Sequence, residues 1–364
     1  MKYLDEYRDG ELARGLISQI HNRSTRPVRL MEFCGGHTMA ILRHGIRQVM
    51  PPTVEMLSGP GCPVCVTHNA DLDKAIALAG QPQVIMATFG DMFKVPGSNS
   101  SLQKAKAEGA DVRMVYSALD ALKIARNNPQ KSVVFLGIGF ETTAPTIAAS
   151  ILQAEEEGIE NYYILSMHKL TPPATKAILN AGEVRLDGVI GPGHVTTVIG
   201  SRAWEFLPRE YGIPCAIAGF QPVDILRGVA MLVEQLEEGR AEVGIAYRRS
   251  VRPEGNQWAM EQMYRVFEVC QTPWRGLGMV PHSGLRLREE YAHFDAEQAF
   301  DIDPGPTREP KGCRCGEVLR GVATPLDCPL FDKACTPERP LGPCMVSAEG
   351  ACAAYYHYGE RHER

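Results

Sequence analysis

From about residue 27 to about 247, short apolar runs rich in β-branched residues alternate with stretches whose apolar positions recur every three or four residues. The runs predict strands at Val28–Phe33, Val54–Leu57, Val84–Thr88, Val112–Val115, Val133–Ile138, Tyr162–Ser166, Val189–Ile190 and Ala216–Ala218. Between them the 3.6-residue period predicts helices over Thr38–Arg47, Ala70–Ala79, Leu119–Arg126, Thr143–Glu156, Pro173–Asn180 and Val223–Glu237. Strands that are apolar throughout and alternate with helices imply α/β architecture with parallel sheets covered on both faces.

The pattern runs twice. FCGGHTMAIL resembles IGFETTAPTIA, LSGPGCPVCVT resembles LSMHKLTPPAT, and TFGDM and GPGHV follow their respective third strands. Two related α/β halves, joined near Asn127-Asn128-Pro129, are the expectation, although any two α/β modules share some of these features. After about residue 250 the texture changes: VRPEGNQWAMEQMYRVFEVC reads as a helix, MVPHSGLRLREEY as a short strand with its turn, and DIDPGPTREPKGCRCG as a Pro/Gly-rich entry to a cysteine-rich tail. The fold class expected is two similar parallel-sheet α/β domains, 24–126 and 127–240, plus a smaller cysteine-rich iron–sulfur domain at 241–364. The N-terminal helix, 1–23, is expected to pack on that last domain.

With 364 residues, 44% hydrophobic and 22% charged, the chain has the profile of an ordinary globular protein of two or three domains. Its net charge of −5 makes neither nucleic acid nor an anionic membrane a natural partner. No apolar run approaches the roughly 18 residues that span a bilayer, and the charged start lacks a signal peptide's apolar core. A cytoplasmic location is expected.

The cysteines change the picture. There are 11, and six of them fall within residues 313–352. An odd number in a chain of this size argues for metal or redox chemistry rather than a disulfide framework. Cys34 follows the first strand, Cys62 and Cys65 the second, and Asp91 the third. Loops after parallel strands gather at one sheet edge, so three cysteines and a carboxylate are expected to meet there. Cys62-Pro-Val-Cys65 has the spacing at which two thiols close a small disulfide or share a metal. His37 fits a ligand, a proton relay or a capping group, and Asp91 a helix cap or a base beside the site. In the second half Glu141, His168, His194 and Gln221 occupy the corresponding loops. They could line the far wall of the same cleft, while capping and turn roles also explain each of them. Cys215 and Cys270, in apolar or helical surroundings, read as core.

In the tail, successive cysteines from Cys313 to Cys352 are 2, 13, 7, 9 and 8 residues apart. Paired C-x-x-C zinc knuckles are missing, as is the tight run of bacterial ferredoxins. Cysteines scattered among Pro and Gly suit an iron–sulfur cluster held by four of the six; zinc is the alternative, and spacing does not say which four.

MEFCGGHTMAI, SGPGCPVCVT, TFGDMFKVPGS, GFETTAPT and DCPLFDKACTPERPLGPCMVSAEGACAAYYHYG together resemble the HypD family of NiFe-hydrogenase maturation proteins over nearly the whole chain. The resemblance implies two similar α/β domains and a third carrying a 4Fe-4S cluster. It implies a cytoplasmic scaffold on which iron acquires one carbon monoxide and two cyanide ligands. The partners would be a small HypC-type chaperone and a HypE-type donor that carries cyanide as a thiocyanate; the finished Fe(CN)2CO unit would pass to the hydrogenase large subunit. By motif, Cys34 would bind the iron, Cys62 and Cys65 would be the redox-active pair, and His37 and Asp91 would lie around the iron. Cys313, Cys328, Cys335 and Cys352 would hold the cluster, leaving Cys315 and Cys344 without a role. Two competing readings are a stand-alone iron–sulfur reductase of protein disulfides and a structural zinc protein acting as a binding module.

Overall fold

The computed structural model describes residues 8–359. All eight expected strands form, within two residues of the positions read from the sequence at each end: β1 (Val28–Glu32), β2 (Val54–Ser58), β3 (Val84–Thr88), β4 (Asp111–Met114), β5 (Ser132–Gly137), β6 (Tyr162–Ser166), β7 (Gly188–Pro192) and β8 (Cys215–Ala218). A short ninth, β9 (Val243–Ile245), lies just inside the end of the alternating region.

The strands build two parallel sheets, in the order β2-β1-β7-β8-β9 and β4-β3-β5-β6. Read from β6, the second runs β6-β5-β3-β4, the same order as β2-β1-β7-β8 in the first. The repeat seen in the sequence therefore maps β1 to β5, β2 to β6, β3 to β7 and β4 to β8. Each sheet takes two strands from each repeat, because the chain crosses between sheets after β2 and again after β6.

This corrects the expected partition at 126/127, which falls between β4 and β5 of a single sheet. Apolar strands that alternate with helices carry no mark of which strand each will pair with. Here β1 bonds to β7 across more than half of the alternating region, with Glu32 opposite Ile190.

Every residue of β3, β7 and β8 is buried, as expected of parallel strands with helices on both faces. The N-terminal helix, Gly10–Arg23, packs on the helix Pro222–Glu237. Ile20 enters the cluster of Ile225, Leu226 and Val229, and Arg23 pairs with Glu234. The expectation that it would lie on the cysteine-rich segment is thus overturned, since its narrow stripe of Ala13, Leu16, Ile17 and Ile20 finds the wider apolar stripe of the helix that covers the first sheet.

The stretch read as one helix around residues 251–270 divides. Its helix is Gln257–Val266, and the alternating Phe-Glu-Val-Cys that follows opens β10 (Phe267–Trp274), antiparallel to β11 (Gly278–Leu287). This hairpin spans both sheets. Leu170 N–H bonds to Ser283 O after β6, and Arg275 N–H bonds to Val66 O after β2, each at 2.8 Å. From about residue 301 the chain is largely irregular, broken by short turns and helices at Cys315–Leu319, Pro325–Asp327 and Pro343–Met345, and it ends in the helix Ala351–Tyr358. That helix packs on Gly35–Arg43, and the Pro343–Met345 turn packs on the short helix Pro63–Val66. No helix among the described residues is long and apolar enough to cross a membrane.

Candidate metal and redox site

Cys34 sits at the start of the helix Gly35–Arg43, just past the end of β1, with its backbone extended. Its N–H donates to Glu32 Oε2 at 2.9 Å, and its carbonyl accepts from the N–H groups of His37 and Thr38. The Cys62 loop is pressed against it. Gly35 N–H donates to Gly61 O at 2.8 Å, and a Cβ at residue 61 would lie 2.2 Å from Cys34 N. A Cβ on Gly35 would meet Glu349 O at 2.5 Å. Three backbones therefore meet at Cys34, which is why glycine stands on both sides of the contact.

Burial, helped by Glu349 and Glu32, pushes the Cys34 thiol up to about 12. Glu32, which also accepts from the Thr38 hydroxyl, is itself raised by burial to about 8. At neutral pH Cys34 is thus a protonated thiol, and a metal bound there would have to displace its proton.

Cys62 and Cys65 are joined as a disulfide and both are buried. Cys62 caps the helix Pro63–Val66, its sulfur accepting the Cys65 N–H at 3.2 Å, with Pro63 supplying the fixed backbone angle of a first turn. The clamp on this loop was not anticipated. Arg275, 3% exposed, donates to Thr67 O and Asn69 Oδ1 and pairs with Glu309 at the entry to the cysteine-rich segment. An arginine between Trp274 and Gly276 was its only mark in the sequence.

His37 makes its bonds to the end of β8 rather than to Cys34. Its Nε2 donates to Ala218 O at 3.2 Å and Gly219 O at 3.0 Å, while Nδ1 is buried without a partner. The ring stacks on Phe220 at 4.7 Å, and the exposed His194 meets the same phenyl at 4.0 Å. Burial lowers His37 to about 4, so it is a neutral clamp between the Cys34 helix and the β8 loop. That loop is held in turn by Asp224, which accepts Gln221 N–H and forms a two-pronged pair with Arg249.

Asp91 follows β3, which belongs to the second sheet, so it does not share a sheet edge with Cys34 as expected. It accepts from Ser347 Oγ at 2.8 Å, and that segment carries Glu349 to the Cys34 loop. The second-half residues divide in the same way. His194 and Gln221 lie on the edge bearing Cys34. Glu141 and His168 lie on the edge of the second sheet, where Glu141 accepts Thr171 N–H and burial raises it to about 7. Cys215 is buried in β8, and Cys270 lies half-buried in β10 rather than in a helix.

All six tail cysteines, Cys313, Cys315, Cys328, Cys335, Cys344 and Cys352, line one chamber with Leu330, Phe331 and Met345. Cys315 and Cys344 bring their sulfurs to 2.7 Å, so the two thiols without an expected role form a second close pair. Cys315 accepts from Cys313 and Cys344 and is held below the ordinary thiol range, with its two donors above it. Among the described residues no three His, Cys, Asp or Glu side chains converge as ligands of a single ion. A multi-iron cluster takes one thiolate per iron and spreads its ligands around itself. The donor set fits such a group: soft sulfur throughout, apolar filling, and a Gly342 whose Cβ would stand 3.1 Å from Cys313 Sγ.

The family model HypD, described as "Hydrogenase formation hypA family", matches residues 11–359. The chain belongs to the HypD family. Similar proteins include hydrogenase expression/formation protein HupD of Azotobacter chroococcum mcd 1, 52% identical over 100% of this chain and 98% of that protein. Hydrogenase maturation factor HypD of Azotobacter vinelandii is 51% identical with the same coverage, and that of Escherichia coli (strain K12) is 43% identical over 99% of each. Both α/β sheets and the cysteine chamber thus lie within the span that matches HypD.

Proposed function

We propose that the chain acts in the cytoplasm in maturation of NiFe-hydrogenase, as a scaffold on which iron, its substrate, receives carbon monoxide and cyanide. It works with a HypC-type chaperone, takes cyanide from a HypE-type donor, and the Fe(CN)2CO unit then passes to the hydrogenase large subunit. The observation that carries this reading is the contact of Gly61 with Cys34, which fastens a redox-capable Cys62–Cys65 pair to a thiol on a separate loop.

Low-spin iron bearing cyanide and carbon monoxide favours soft thiolate ligands, which Cys34 and a cysteine of the chaperone would supply. Releasing cyanide from a thiocyanate takes two electrons, leaving a thiolate on the donor and a cyanide for the iron. Cys62 and Cys65 as thiols supply both electrons on closing to a disulfide, and they release two protons. Cys313, Cys328, Cys335 and Cys352 would hold a 4Fe-4S cluster, which when bound supplies electrons singly. The packing of the Pro343–Met345 turn, with Cys344, on Pro63–Val66 supports a route between chamber and disulfide. A stand-alone disulfide reductase would leave the seating of Cys34 without a purpose.

The deciding experiment is the infrared spectrum of anaerobically isolated protein with its small partner. Bands of metal-bound carbon monoxide and cyanide are expected, and Cys34→Ala should remove them while the brown cluster remains. A Cys34→Ala variant that still matures hydrogenase would overturn the assignment of the iron to Cys34.

A further inference from the structure

The cysteine chamber is buried, yet one of its walls is a single stretch of chain. Leu341 N–H donates to Cys335 Sγ at 3.3 Å, and Gly342 lies against Cys313. The other side of this stretch, Pro337–Leu341, faces a separate solvent-open cleft of about 550 Å³. Its opposite wall is the loop after Asp91, pinned by Ser98, which bonds Asp73 and accepts the Arg308 N–H at 2.7 Å.

The charges around this cleft are unbalanced. Lys94 and Arg308 line it, both exposed, and neither side chain has an ion-pair partner among the described residues. Of its two carboxylates, Glu309 is taken by Arg275, leaving Glu338, which the Thr336 hydroxyl steadies. The lining therefore offers two free cations against one free carboxylate; Arg339, also exposed and without an ion-pair partner among the described residues, follows Glu338 at the rim. A polar recess with a small excess of free positive charge, beside a wall of the cysteine chamber, stands out in a chain whose net charge is −5.

We propose that this cleft is the docking site of an acidic one-electron carrier protein, an inference that rests on the cluster assigned above. Unpaired cations steer an acidic partner and set its orientation while contributing modestly to affinity, which suits a carrier that must leave after each delivery. Each carrier molecule is oxidised by one electron. Two such deliveries, with two protons from solvent, convert the Cys62–Cys65 disulfide to two thiols.

The test uses the full chain with its cluster, under anaerobic conditions, with a reduced acidic plant-type ferredoxin as the probe and dithionite as a small reductant. Electron entry is followed by stopped flow, reduction of Cys62–Cys65 by thiol alkylation, and binding of oxidised ferredoxin by calorimetry. The rate with ferredoxin should fall as salt rises. In a Lys94→Glu/Arg308→Glu/Arg339→Glu variant both rate and binding should fall by about tenfold or more, with dithionite reduction unchanged. A ferredoxin rate that is flat in salt and equal in the variant overturns the docking site. If the variant does not fold, the salt dependence of the unaltered chain still decides. Should dithionite reduce the cluster but never the Cys62–Cys65 disulfide, the redox route of the parent reading fails instead.

Discussion

Gly61 and Cys34 touch backbone to backbone, with no room at residue 61 for a single methyl group. The contact joins the loop after β2 to the loop after β1 and sets the thiol's position against the disulfide. Gly61→Ala should therefore separate them. Overpacking of this kind costs about 1–3 kcal/mol, which a protein of this size should survive. The expected outcome is a modest fall in melting temperature with loss of iron binding at Cys34, read by metal analysis on a cluster-loaded sample.

Arg275 holds the C-x-x-C loop from the hairpin side. Arg275→Met leaves the carbonyl of Thr67 and the amide oxygen of Asn69 without their donor, whereas Glu309 is half-exposed and can turn to water. Unsatisfied buried groups cost about 1–3 kcal/mol each. Faster alkylation of the reduced Cys62–Cys65 pair than in the parent protein is expected.

Asp224 is fully buried and its carboxylate is paired with Arg249. Removing one partner of such a pair strands the other, at about 3–5 kcal/mol. Arg249→Leu should lower stability by that order in urea. Asp224→Asn in the same chain should restore part of it, because no charge is then left buried.

Glu141 gives a pH signature. Its folded pKa is raised to about 7 by burial, so the folded state binds a proton that the unfolded chain releases from about pH 4.5 upward. Stability from this group is full below pH 4.5 and is lost as pH rises through about 7. Glu141→Gln, which keeps an acceptor for Thr171, should gain on the parent protein by about 1–3 kcal/mol on going from pH 5 to pH 8. Parallel denaturation curves at the two values check this.

The strands were legible because buried parallel strands are written as unbroken runs such as Val84–Thr88, and Cys34, Cys62 and Cys65 because they stand in glycine-rich loops behind such runs. Pairing was not legible. Nothing in Val28–Glu32 distinguishes β7 from β3 as a neighbour, so Asp91 was placed on an edge it does not occupy. His37 was ambiguous for a related reason, since its bonds go to carbonyl groups at 218 and 219 that no local motif announces. Arg275 and the Cys315–Cys344 pair depend on long-range packing alone, and a lone arginine and two leftover cysteines carry no signal of it.

The exchange of strands between the two sheets has a consequence for biogenesis. Neither repeat can finish a sheet by itself, so β1 and β2 leave the ribosome with one edge of β1 unpaired and must wait for β7. At ordinary rates of synthesis that interval is on the order of ten seconds. Throughout it the sites of Cys34 and Cys62 are only half built, and the nascent chain presents an apolar edge open to aggregation. The seating of Cys34 against the Cys62 loop is therefore completed late and all at once, after the second half has been threaded into the first.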